Sequence, residues 1–192
     1  MGTNHTHSRK ILVLVGPPGV GKKFCTLRLN GNHPMDIEIL KTLTTQPQRQ
    51  IYDSLFYTTV GRETCQQHIE AGTLLEYDEF AGHWYGIERA DAEAILKQKH
   101  AVVSATPAGA EALRRSGLST IVAYLMPVSK ALVEDNLRRK QETPERLDRM
   151  RQAASMFERL PVSAYDLAVR VKSLVEAEAE LEDKLRAYVE LH

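Results

Sequence analysis

Ile11-Leu12-Val13-Leu14-Val15 is an unbroken apolar run ended by Gly16. A strand with one wet face alternates apolar and polar residues, so this run predicts a strand buried on both faces of a parallel sheet. From Lys22, apolar residues at Phe24, Leu27 and Leu29 predict a helix ending near Gly31-Asn32. Residues 37–44 are expected to return to the sheet. The stretch 46–87 is mixed, with short strands expected at 55–59 and 74–77 around a helix over 62–71 that Gly72 closes. A helix follows over 90–98, then a strand at 101–103 ended by Pro107, then a buried strand at 120–125 stopped by Pro127. Two helices, 130–140 and 144–159, flank the polar run Gln141-Glu142-Thr143. A last strand over 165–171 leads into a charged amphipathic helix, 173–190, with Ser173 as its cap. Strands alternating with helices specify an α/β fold with a parallel sheet flanked by helices. The expected organisation is one domain over 9–192 behind a flexible polar leader, 1–8.

Composition narrows the classes. The chain has 192 residues, 43% hydrophobic and 26% charged, an ordinary balance for a globular domain. Lys+Arg and Asp+Glu stand at 25 each, so net charge gives no argument for a nucleic-acid or anionic-membrane partner. Cys25 and Cys65 are far apart and in no metal-ligand spacing, which reads as reduced thiols and a cytoplasmic location. No apolar run approaches the roughly 20 residues of a membrane span. Met1-Gly2-Thr3-Asn4-His5-Thr6 fits the loose myristoylation pattern, and His5 and His7 could meet a metal, but a disordered leader is the favoured reading of both features.

The chemistry begins at Gly16-Pro17-Pro18-Gly19-Val20-Gly21-Lys22, which follows the buried strand and opens a helix. Glycines allow successive N–H groups to turn toward one point, and the helix N-terminus adds partial positive charge, so the segment suits phosphate. The candidate ATP- or phosphate-binding residues are Gly16, Gly19, Val20, Gly21, Lys22 and Lys23, with Lys22 reaching the outer phosphates. A glycine-rich strand–helix junction without a ligand is the plain alternative. The position after the lysine should carry a hydroxyl that holds Mg²⁺; Lys23 cannot ligate a metal, although it can neutralise phosphate. No metal-ligating side chain is proposed.

From this loop onward the chain resembles the guanylate kinase family over about residues 9–190. The likeness rests on the loop, on Leu43-Thr44-Thr45-Gln46-Pro47-Gln48-Arg49, on Leu74-Leu75-Glu76-Tyr77, on Gly82-His83-Trp84-Tyr85-Gly86, and on Tyr165-Asp166-Leu167. It implies a P-loop nucleoside monophosphate kinase fold with a small mixed α/β GMP-binding segment at 46–87 and a short lid near 138–151. By this resemblance Arg49 clamps the GMP phosphate, Tyr57 and Tyr85 hydrogen-bond it, Thr42 supplies a hydroxyl, and Glu76 reads the guanine edge. Core packing of the two tyrosines and a solvated Glu76 remain the alternatives. Residues 9–18 with Gly21-Lys22-Lys23, and Leu137-Arg138-Arg139-Lys140, further resemble the kinase-like domain of leucine-rich-repeat and guanylate-kinase-domain proteins. Those are associated with sperm and flagella, so a cilium or flagellum is the implied alternative location.

Four departures bear on activity. Gln46 stands where the family has a phosphate-binding arginine, Ile87 where it has a hydroxyl that contacts guanine, and Ser104 and Thr106 where it has an aspartate pair. The lid is short. Arg138, Arg139 and Arg149 are its catalytic candidates beside Lys22, with Arg146 and Arg151 near and Met150 at the helix position. A solvated basic helix face accounts equally for these arginines. The departures favour a catalytically impaired module, a pseudokinase or scaffold, that binds a nucleotide or a phosphorylated or acidic ligand within a protein assembly. Its protein partner would dock through the GMP-like cleft or the C-terminal helix. The alternative is an active enzyme that transfers the ATP γ-phosphate to GMP with Mg²⁺.

Overall fold

The computed structural model describes residues 9–80, 82–139, 143–157 and 161–191. The leader with its myristoylation pattern and His5 and His7 lies outside them, as do Lys140 to Glu142 and the Arg159 end expected for the second lid helix; the Arg146 side chain is likewise not described. A five-stranded parallel sheet carries β1 (Ile11–Val15), β2 (Ile37–Ile39), β7 (His100–Ser104), β8 (Thr120–Pro127) and β9 (Leu167–Val171), in the order β2-β7-β1-β8-β9. A four-stranded sheet carries β3 (Thr42–Thr44), β4 (Tyr57–Thr59), β5 (Leu74–Phe80) and β6 (His83–Glu88), in the order β4-β3-β6-β5.

The apolar run of β1 works as expected. Ile11, Val13 and Val15 enter one core cluster, and Leu12 and Leu14 enter the other across the sheet. The first cluster is closed by α3 (Arg89–Leu96) and α4 (Pro107–Arg115) through Ala92, Ala110 and Leu113. The second is closed by α1 (Lys22–Asn32) and α7 (Leu174–Leu191) through Cys25, Leu29, Ala177 and Leu181. Helix α7 is therefore a core element along one face, and Asn32 of α1 donates to its Glu178 and Glu182. Ser173 caps it by accepting from the Glu176 N–H at 3.2 Å. No described helix is long and apolar enough to cross a membrane.

Three expectations need correction. Residues 37–44 are two strands in two sheets. Leu40, almost fully buried, ends the first by donating its N–H to the Val102 carbonyl, and the chain then turns so that Thr42 pairs with Tyr57. The stretch after β7 is a helix, α4: Pro107 opens it, and the Thr106 hydroxyl caps it by accepting from the Gly109 N–H at 3.0 Å. Proline needs no N–H partner in a first turn, so Pro107 starts this helix, while the strand before it has already ended at Ser104. Residues 83–88 form β6, hidden in the sequence by Gly86, where a β-carbon would lie 2.8 Å from Leu74 Cδ1. The remaining helices are α2 (Arg62–Glu70), α5 (Lys130–Arg138) and α6 (Pro144–Met156); a 3-10 turn spans Ile51–Leu55.

Candidate active site

The glycine loop leaves the C-terminal end of β1, between β7 and β8, where open α/β sheets place their ligands. Gly21 is the N-cap of α1 with φ +105°, a left-handed conformation, and no side chain caps the first turn. The first N–H groups of α1 therefore face outward with the helix dipole behind them, an anion-attracting arrangement. Lys22 Nζ donates to the carbonyls of Gly16 at 2.6 Å and Pro17 at 3.1 Å, folding over the loop it belongs to. Asn136 of α5 donates to the Gly19 carbonyl at 2.9 Å and ties the loop to that helix. Val20 is fully buried in the second core cluster, so its side chain anchors the loop.

Lys23 does not share Lys22's position. Its ammonium crosses to the small sheet, 2.6 Å from Asp53 Oδ1, and lies 4.7 Å from the Tyr57 ring centroid, 5.1 Å from that of Phe56 and 5.7 Å from that of Tyr52. The other Asp53 oxygen accepts the N–H groups of Arg49 and Gln50, each at 3.2 Å. Burial raises the Asp53 pKa, but the ammonium and these N–H groups outweigh it and hold the carboxyl below its usual value. Asp53 is thus the joint between the phosphate-loop helix and the segment carrying Arg49. Nothing in its sequence context marked it, because its partner lies thirty residues away.

The small sheet gathers most of the residues assigned by resemblance. Thr42 pairs with Tyr57, and the Tyr57 and Tyr85 rings meet edge-on at 6.2 Å. The Tyr85 hydroxyl donates to Gln46 Oε1 at 2.7 Å, so the residue that replaces an arginine serves as a tyrosine's acceptor. Lys23, Thr26, Thr42, Tyr57 and Ser104 line one narrow cavity of about 20 Å³ between the two sheets. Thr26 is 1% exposed, and its hydroxyl lacks a partner among the described residues. A larger, shallow hollow of about 330 Å³ is lined by Gln66, Ile69, Tyr77, Asp78, Glu79 and Trp84, away from the glycine loop and Lys23.

Glu76 is the unusual group. It is 7% exposed on β5, so it is not a solvated strand residue. No hydrogen bond or ion pair from the described residues reaches its carboxyl. Burial, and then the neighbouring Asp78 charge, push its pKa up to about 7. Gly109 of α4 makes room for it: a β-carbon there would lie 2.6 Å from Glu76 Oε2. Asp78, two residues along the same face of β5, accepts from the Thr106 hydroxyl at 2.6 Å. Sequence reasoning counted Thr106 as a lost carboxylate; the structure sets a carboxylate against it from β5. Ile87 is fully buried in the core, consistent with its having no polar role.

The lid arginines have separate fates. Arg138 of α5 pairs with Glu134 at 3.1 Å, and Arg151 of α6 binds Glu134 at 2.6 Å and Asp148 at 2.8 Å. These two arginines, Arg151 foremost, pull the half-buried Glu134 carboxyl down to about 2. Arg139 ends α5 as its C-cap. Arg149 reaches the β5–β6 turn, where a β-carbon on Gly82 would stand 3.2 Å from its Nη1. Met150 is buried against Val133 and Leu137, fastening α6 to α5.

A phosphate loop at the end of a central parallel strand, facing a small mixed sheet across a polar cleft, is the arrangement of the P-loop nucleoside monophosphate kinase fold. Residues 8–188 match the family model for guanylate kinase. Guanylate kinase of Thermosynechococcus vestitus is 30% identical over 162 residues, 83% of this chain and 84% of that protein. Guanylate kinase of Prochlorococcus marinus is 31% identical over 175 residues, 90% of this chain and 92% of that protein. The crystal structure of guanylate kinase from Anaplasma phagocytophilum shares the fold with a TM-score of 0.68 at 23% identity, covering 94% of this chain and 86% of that one. The SH3-kinase fragment of tight junction protein 3 shares it with a TM-score of 0.55 at 14% identity, covering 95% of this chain and 58% of that one. The chain belongs to the guanylate kinase family.

Proposed function

We propose that this chain binds GMP in the cleft between its two sheets and transfers the γ-phosphate of ATP to it. The observation that carries this reading is Glu76: a buried carboxyl without a partner among the described residues, in a niche kept open by Gly109. Leaving such a group unpaired is costly, and the cost is recovered when a ligand supplies donors. Guanine presents two adjacent N–H donors on its Watson–Crick edge; adenine presents one and an acceptor. A carboxylate in this niche therefore selects guanine. The loop N–H groups and Lys22 are suited to the donor's phosphates. In the transfer, an oxygen of the GMP phosphate bonds to the γ-phosphorus while the bond from that phosphorus to the β-phosphate oxygen breaks, giving GDP and ADP.

Mg²⁺ accompanies ATP in such reactions, yet the side chains here do not form a seat for it. Lys23 replaces the hydroxyl, Ser104 and Thr106 replace carboxylates, and no group of three His, Cys, Asp or Glu suited to a metal ion occurs among the described residues. Charge neutralisation by the chain's own cations is what remains to it. This same feature favours a second reading, a module that binds GMP and ATP without transfer. The pseudokinase and scaffold form of that reading has no support from the relatives, which are named as guanylate kinases.

Purified protein with ATP, Mg²⁺ and each nucleoside monophosphate, assayed for ADP release, separates the two. GMP-dependent release that falls about 100-fold or more in Lys22→Ala supports the kinase. GMP binding without ADP release would leave the module.

A further inference from the structure

Lys23 occupies the position from which a phosphate loop ordinarily offers a hydroxyl, yet its ammonium points across the cleft instead of into the loop. It reaches the lining that holds Thr42 and Tyr57, and the hydroxyl-bearing residues Thr26, Thr42, Tyr57 and Ser104 line the same narrow space together with Ile39, Leu40, Phe56 and Val103. One of them has its hydroxyl, Thr26 Oγ1, buried without a partner among the described residues. An ammonium beside several hydroxyl donors, within a chain that also presents Arg49 on the segment pinned by Asp53, is a phosphate-recognising combination. Asp53 takes up one donor direction of the ammonium, and the three aromatic rings it approaches offer faces only. The Lys23 side chain keeps 38% exposure, so donor capacity remains toward the mouth of the cleft. The cavity itself has room for about one water, which places a phosphate group at its mouth, over Lys23.

We infer that Lys23 is a binding residue for the phosphate of the acceptor nucleotide, not for the phosphates of the donor. The inference rests on the reading of the cleft as a GMP site and assigns the charge within it. The residue that costs the phosphate loop its metal hydroxyl thereby serves the opposite substrate. The alternative role, a purely structural clasp between α1 and the 3-10 turn, uses the same ion pair and makes a different prediction.

Calorimetric titration with GMP, guanosine and ADP tests it on wild type, Lys23→Met, Lys23→Arg and Asp53→Asn. Loss of a charge-assisted bond predicts GMP binding about 10- to 100-fold weaker in Lys23→Met. Guanosine and ADP affinities stay within about twofold, and Lys23→Arg recovers most of the GMP loss. Asp53→Asn removes the ion pair but leaves the cation, so it keeps most of the GMP affinity. Equal losses in Lys23→Met and Asp53→Asn would show a clasp and overturn the inference, as would a parallel loss of guanosine or ADP. Wild type that binds GMP no better than guanosine would overturn it while leaving guanine recognition intact. Wild type that binds neither would remove both readings.

Discussion

Replacing Glu76 by Gln keeps the shape of the side chain and deletes its titration. The wild-type carboxyl has an ordinary value of 4.5 and is pushed to about 7 in the folded chain, by burial first and Asp78 second. A carboxyl raised on folding stabilises the native state least where it is ionised. Below pH 4.5 it is protonated in both states and exacts nothing; as pH rises toward 7 the unfolded chain ionises while the folded chain holds its proton. Wild-type stability therefore falls relative to Glu76→Gln across that window and levels off above it. At 1.36 kcal/mol per pH unit, the gap of 4.5 to about 7 makes the relative loss on the order of 3 kcal/mol. With Glu76 only 7% exposed, solvent screening discounts this little. Urea unfolding of both proteins at pH 5, 6, 7 and 8 reads the difference directly, since every other titrating group is shared. The two proteins should be closest at pH 5, and Glu76→Gln should be the more stable by the largest margin at pH 8. A difference that stays constant over this range would refute the claim that Glu76 is buried and unpaired.

The same geometry yields further outcomes. Guanine's donors require the ionised carboxylate, so wild-type GMP affinity should fall as pH drops below about 7, while Glu76→Gln binds weakly at every pH; calorimetry across pH 6 to 8 checks both. Gly109→Ala puts a β-carbon into the niche, 2.6 Å from Glu76 Oε2. Because the carboxyl tip can move, stability should change little, whereas GMP affinity should fall about tenfold with ADP affinity unchanged; calorimetry and urea melts together decide it. Thr106→Val removes both the cap of α4 and the donor to Asp78, so it should destabilise the fold by about 1–3 kcal/mol in urea unfolding.

The legible parts of the sequence were those where one local pattern had one physical solution. An apolar run of five residues before a glycine loop reads as a buried strand feeding a tight turn into a helix, and the structure has that strand, turn and helix in place. The resemblance grouped Thr42, Tyr57, Glu76 and Tyr85 without saying which strands carry them or what each touches; all four stand on the small sheet. What could not be read depends on long-range pairing or on residues with two local meanings. Pro107, expected to stop a strand, instead opens α4 after β7 has ended at Ser104, and Gly86 interrupts the pattern of β6 because Leu74 crowds it. Asp53 and Asp78 acquire their roles from Lys23 and Thr106, which are 30 and 28 residues away. Reading Lys23 and Thr106 as simple losses was reasonable along the chain; in space each has a carboxylate partner.

The central claim is that the cleft reads guanine through Glu76. It is tested most directly by calorimetric titration of the wild-type protein with GMP and with AMP at pH 8, where the carboxyl is ionised. A carboxylate that accepts from both guanine donors and meets only one in adenine should favour GMP by about 100-fold or more. Equal affinity for the two nucleotides, or no binding of GMP, would contradict the account.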